Sequence, residues 1–186
     1  MRRTATSALA ALIATIAVVG AVATPAGAAK TPRFHLSSPA FASGAAIPDG
    51  FTCDGAGASP PLQWTGVPRK AAQLALIVDD PDAPNGTFVH WVAWNIDPKA
   101  GELPEQNVLP TVVQGSNGVQ TQKYLGPCPP RGDDPHHYRF TLYALSKAPS
   151  LQAGATAAEL RRAIRRTVLA RTRLVGTYQR KATSAT

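Results

Sequence analysis

Residues 74–96 read LALIVDDPDAPNGTFVHWVAWNI, and their pattern is strand, turn, strand. Leu74 to Asp79 is a nearly continuous apolar run of strand length, preceded by Arg69-Lys70 and closed by a Pro/Asp/Gly cluster. Phe88 to Ile96 is rich in Trp, Val and Phe and stops at Asp97-Pro98. Working outward, Tyr138–Leu145 is aromatic and β-branched enough for a third strand, and weaker strands are expected around Phe34–Leu36, Phe51–Cys53 and Thr172–Tyr178. Many of the 17 Pro and 15 Gly punctuate these runs, so the expectation is a mainly β domain with long Pro/Gly-rich loops. One segment has a helical period. Thr156 and Glu159 have capping-box spacing, and Leu160, Ala163, Ile164, Thr167 and Val168 recur on one face behind them.

Composition narrows the class. The 186 residues are 44% hydrophobic and 16% charged, too apolar for a disordered chain and sufficient for one domain with at most a tail. No heptad run, solenoid repeat or C-x-x-C pair is present. The formal net charge is +8, and six arginines lie between Arg161 and Arg173. They read as a solvated helix face or, alternatively, as a patch for an anionic surface such as a membrane. Without interleaved aromatics they do not point to nucleic acid.

The N-terminus reads as an address. Arg2 and Arg3 precede an apolar stretch from about Ala8 to Ala23, Pro25 breaks it, and Ala26-Gly27-Ala28 is a small-residue cleavage pattern. Residues 1–28 are therefore expected to be a secretory signal peptide, with an uncleaved anchor helix as the alternative. Residues 29–186 are expected to form one exported domain with its core at about 34–180. No Cys stands near the cleavage pattern for lipid attachment, and the residues flanking the Arg pair do not suit twin-arginine export. The expected location is secreted or cell envelope. In that oxidising setting Cys53 and Cys128 are expected to form a disulfide, the alternative being two buried free thiols.

Two polar clusters interrupt the strands. The first is Asp79-Asp80-Pro81-Asp82-Ala83-Pro84, followed by His90 inside the next strand. Period-2 counting puts His90 on the face of Phe88, Val92 and Trp94. The second is Gly126-Pro127-Cys128-Pro129-Pro130-Arg131-Gly132, followed by His136-His137-Tyr138, where His136 and Tyr138 share a face with Phe140. Singly, each histidine reads as a satisfied structural side chain. Together, an acidic strand end, two strand-borne histidines and a rigid loop could line one pocket for a phosphate or carboxylate. Imidazole, phenol and backbone N–H groups would donate to it, and carboxylates would accept from the His rings and set their tautomers.

These residues resemble a known family. D-P-D-A-P at Asp80–Pro84, H-W-V-A-W-N-I at His90–Ile96 and G-P-C-P-P-R-G…H-H-Y-R-F-T-L-Y-A-L within Gly126–Leu145 look like the phosphatidylethanolamine-binding protein family, in particular its bacterial, Raf-kinase-inhibitor-like branch. I-P…F-T-C-D-G at Ile47–Gly55, S-P-P-L-Q-W at Ser59–Trp64 and S-N-G at Ser116–Gly118 extend the likeness over roughly Phe34 to Arg180. The resemblance implies a β-sandwich with a C-terminal helix beside an anion pocket. It places that pocket on Asp80, Asp82, His90, His136 and Tyr138, with the Tyr124–Pro130 loop, including Gly126, Cys128 and Pro129, as one wall. Two positions depart from the family pattern: His137 stands where an Arg is usual, and Thr167 stands where the branch carries a His.

The reading that follows is an exported, non-catalytic protein binding a small anion, phosphate or a phospholipid headgroup, with no cofactor or metal. One alternative is a regulator or inhibitor of a protein partner such as a protease or kinase-like enzyme. Another is a hydrolase, using a metal held by two His and one Asp or a His90–Asp80 acid–base pair; no nucleophile-elbow Ser or Cys supports it.

Overall fold

A computed structural model describes residues 33–106 and 108–182. The expected signal segment lies outside them. Among the described residues, eight strands and one α-helix run in the order β1 His35–Ser37, β2 Leu62–Thr65, β3 Gln73–Asp80, β4 Phe88–Ile96, β5 Glu102–Leu103, β6 Val113–Gln114, β7 His136–Leu145, α1 Ala157–Ile164 and β8 Val168–Tyr178. All strand pairs are antiparallel. They form a three-stranded sheet, β1-β2-β5, and a five-stranded sheet, β6-β4-β3-β7-β8.

The continuous apolar run of β3 has a direct cause: both of its faces are covered. Leu74, Leu76 and Val78 face Leu36, Leu62, Trp64 and Leu103 of the small sheet, with Trp91, Tyr138, Phe140 and Leu142 beside them. Ala75 and Ile77 face the other way, onto Ala157, Leu160 and Ile164 of α1 together with Val92 and Trp94. The expected mainly β, sandwich-like fold is what the chain adopts, with α1 as a third layer on the large sheet.

Two local expectations are corrected. Phe51–Cys53 is not a strand. Pro48 leads into a single 3-10 turn at Asp49–Phe51, and the Thr52 amide and hydroxyl both donate to the Asp49 carbonyl. The helix also ends at Ile164, before Thr167 and Val168. Thr167 donates its amide and hydroxyl to the Ile164 carbonyl, and Val168 opens β8, whose long ladder with β7 outweighs helical continuation. The helix start is as expected. The Thr156 hydroxyl accepts from the Glu159 amide, and the Glu159 carboxylate accepts from the Thr156 amide. Thr156→Ala is expected to cost about 1 kcal/mol by loss of the cap, measured by urea unfolding.

Candidate functional site

The C-terminal end of β3 distributes three aspartates to three environments. Asp80 is buried at 3% exposure, and its two oxygens accept from the Asp82 amide and from His136 Nδ1, each at 2.8 Å. Asp79 points to the opposite sheet face, where Arg139 and Arg161 hold it. Asp82 stands at the rim, accepting at 2.8 Å from both the amide and Nδ1 of His137. Partial burial pulls the Asp82 carboxyl upward, but the bonds from His137 outweigh it and leave the pKa below the ordinary value. His137 thus serves as a rim partner for Asp82.

His90 reaches the same place by an irregularity. Val78 pairs with Trp91 and Asp79 with Val89, so His90 is the extra residue of a bulge in β4. The bulge resets the alternation. Val89, Val92 and Trp94 belong to the α1 side, whereas Trp91 and Ala93 face the small sheet. His90 therefore stands beside Tyr138, ring centroids 5.1 Å apart, and beside Phe88 at 4.9 Å. The simple period-2 count, which grouped it with Val92 and Trp94, is corrected on this point. On β7 no irregularity intervenes, and His136, Tyr138 and Phe140 share a face as expected.

The wall opposite comes from the 124–130 loop. The His90 carbonyl accepts from the Leu125 amide, and His90 Nδ1 donates to the Leu125 carbonyl at 2.8 Å. Gly126 lies against the 49–52 turn so closely that a Cβ there would sit 2.9 Å from the Phe51 carbonyl oxygen. The Cys53–Cys128 disulfide, Cα atoms 5.4 Å apart, fastens that loop to that turn, as expected. Together these residues enclose a cleft of about 250 Å³, lined by Asp80, His90, Gly126, Cys128, His136 and Tyr138 among others.

Pro129 lines the cleft as well, whereas Asp82 and Tyr124 do not. The Tyr124 hydroxyl donates to the Phe51 carbonyl, so this side chain anchors the loop from behind. No α1 residue lines the cleft; the helix packs on the other face of the large sheet, which corrects its expected place beside the pocket. Sequence reasoning missed Phe88 as a wall, although an aromatic two residues before a strand histidine was its signal. A Cβ on Gly118 would sit 2.5 Å from the Phe88 ring, so glycine there leaves room for that ring.

The polar groups of the cleft are complementary to an anion with a proton to share. With both Nδ1 atoms donating inward, each ring presents Nε2. The nearest carboxylate to His136 Nε2 is Asp133 at 3.6 Å, beyond hydrogen-bond reach. Burial lowers the His90 pKa, against the opposing pull of the Leu125 carbonyl and Asp80, which favours the neutral ring near pH 7. Tyr138 is 1% exposed, and its hydroxyl has no hydrogen-bond partner among the described residues. Burial and the neighbouring Asp80 charge push its pKa up, so it is a committed donor. Asp80 is bonded to His136, and His90 Nδ1 to the Leu125 carbonyl, so the His90–Asp80 pair of the hydrolase alternative is not a hydrogen-bonded pair here. Among the described residues, no three His, Cys, Asp or Glu side chains gather in a metal-holding group.

The model of the family described as phosphatidylethanolamine-binding protein matches residues 37–179. A Mycobacterium tuberculosis protein named "Putative lipoprotein LppC" is 45% identical over 156 residues, 84% of this chain and 76% of that protein. UPF0098 protein PH1269 of Pyrococcus horikoshii is 40% identical over 177 residues, 91% of this chain and 88% of the relative. Among solved structures, E. coli YbcL, described as a member of the mammalian PEBP family, superposes with a TM-score of 0.75 at 28% identity, covering 80% of this chain and 99% of that one.

Proposed function

The chain belongs to the phosphatidylethanolamine-binding protein family, and from that premise we propose that it is a non-catalytic binding protein whose cleft takes a small phosphate-like anion. The observation that carries this reading is the Tyr138 hydroxyl, a buried donor without an acceptor among the described residues. Such a group costs about 1 to 3 kcal/mol unless something accepts from it. An anion oxygen in the cleft satisfies it, flanked by Nε2 of His90 and of His136. The ligand class is a phosphate or phosphomonoester, whose three or four oxygens can meet several donors at once. We further propose that the first 28 residues are a removed signal peptide and that the mature protein acts outside the cytoplasm. A relative with "lipoprotein" in its name supports an envelope location, while this chain's two cysteines are both in the disulfide.

Proton linkage gives the test. His90 is neutral in the free protein, and an anion at Nε2 favours the charged ring, so binding takes up a proton. Equivalently, the proton arrives on the ligand's own hydroxyl; the count is the same. Affinity must then fall as pH rises, by up to about tenfold per pH unit between the free and bound pKa values of the ring. The groups facing His90 are Tyr138 and His136 from β7, Asp80 from β3 and the Leu125 carbonyl. Calorimetric titration with inorganic phosphate, O-phosphoethanolamine and sulfate measures this, sulfate remaining fully ionised throughout. Sulfate affinity that stays flat between about pH 5 and 8 contradicts the charged-ring arrangement. Absence of binding by all three probes contradicts the proposal as a whole.

A further inference from the structure

The strand alternation that sends Asp80 into the cleft sends Asp79 to the far side of the large sheet, and a second, strongly basic surface is built there. Asp79 accepts from Arg139 Nε at 2.7 Å and from Arg161 Nη2 at 2.6 Å. Around this knot lies a groove of about 460 Å³, lined by Arg161, Arg165 and Arg171 with Tyr143, Ile164 and Val168. Glu159, the one acidic residue between Thr156 and Tyr178, is occupied by the capping box. Among the described residues, no carboxylate pairs with Arg162, Arg165, Arg166, Arg171 or Arg173. Between these arginines sit Val168 and Leu169, 37% and 41% exposed.

We propose that this α1–β8 surface docks onto an anionic phospholipid bilayer. Five guanidiniums on one short segment, none in a carboxylate salt bridge among the described residues and one of them, Arg173, bonded to the Thr141 hydroxyl, supply the charge complementarity. The adjacent aliphatic pair supplies what a soluble polyanion would leave in water: two apolar tips able to enter the headgroup–acyl boundary while the arginines stay at the phosphates. The surface is on the opposite sheet face from the cleft and does not depend on what the cleft binds.

The test is vesicle flotation with residues Thr31–Thr186, which contain both core clusters and the disulfide. The vesicles are phosphatidylcholine alone, or phosphatidylcholine mixed with phosphatidylglycerol. Binding is expected only to the anionic vesicles and is expected to weaken with added salt. Arg165→Gln with Arg171→Gln should lower affinity about 25-fold, at about fivefold for each arginine near the surface. Arg162→Gln with Arg166→Gln is a second pair, should the first fail to fold. Val168→Ser with Leu169→Ser should weaken binding while its salt dependence remains. Saturating O-phosphoethanolamine should leave vesicle binding unchanged, which separates this surface from the cleft. Equal binding to both vesicle types, no binding to either, or indifference to the arginine pairs overturns the proposal. So does equally tight, Val168- and Leu169-independent capture of soluble polyglutamate, which would assign the patch to acidic polymers.

Discussion

Replacing Cys53 and Cys128 together by serine is expected to lower the unfolding free energy by about 4 to 5 kcal/mol. The bridge closes a span of 75 residues, and cross-linking a loop of that length removes denatured-state entropy worth that amount in the chain-entropy model. Against the roughly 5 to 15 kcal/mol that holds a typical domain folded, this is a large fraction of the total. The cleft wall should outlast it. The Cys53 amide still donates to the Pro127 carbonyl at 3.0 Å, and the Tyr124 hydroxyl to the Phe51 carbonyl at 3.0 Å. Asp54, next in the chain, still accepts from Arg180, Arg131 and Tyr178. Urea unfolding of the double variant beside the wild type measures the loss. A difference below about 1 kcal/mol would show that the denatured chain gains little freedom from the cut, against the model.

Tyr138→Phe is expected to move affinity and stability in different directions. Without a bound anion the hydroxyl is buried and has no partner among the described residues, so removing it relieves a desolvation penalty and leaves stability unchanged or slightly raised. In the occupied cleft the same oxygen donates to an anion, a bond to a charged acceptor worth about 1.5 to 3 kcal/mol, or roughly 10- to 150-fold in affinity. Phenylalanine keeps the ring against His90, so the wall itself remains. Phosphate titration and urea unfolding of the same preparation read both quantities. Loss of stability with unchanged affinity would reverse the assignment and give the hydroxyl a structural partner.

Much of this arrangement is legible along the chain because it is local. The apolar run of β3 reports two covered faces, the Thr156/Glu159 spacing reports a helix start, and the parity of His136, Tyr138 and Phe140 holds because β7 is regular through them. What the chain alone does not reveal is set by pairing partners distant in sequence. The bulge at His90 exists only in the register between β3 and β4, and it turns a histidine that counts as helix-facing into a cleft residue. Asp79, Asp80 and Asp82 look like one acidic cluster, yet the pleat and the turn after β3 divide them among an arginine clamp, the cleft and the rim. Thr167 and Val168 fit the helical period, but the ladder to β7 claims Val168 for β8. Tyr124 has the same chemistry as Tyr138; the Phe51 carbonyl takes its hydroxyl and turns it into a loop anchor.

The central claim is that an anion sits between Tyr138, His90 and His136 and draws a proton to His90 Nε2. Nitrogen-15 NMR of the histidine rings, recorded near neutral pH while inorganic phosphate is added, tests it most directly. In the free protein the His90 signals should show a protonated Nδ1 and a bare Nε2; at saturation Nε2 should acquire a shared or full proton while Nδ1 keeps its bond to Leu125. Rings at positions 90 and 136 that stay unchanged while phosphate perturbs other residues would contradict the account and move the binding site off the cleft.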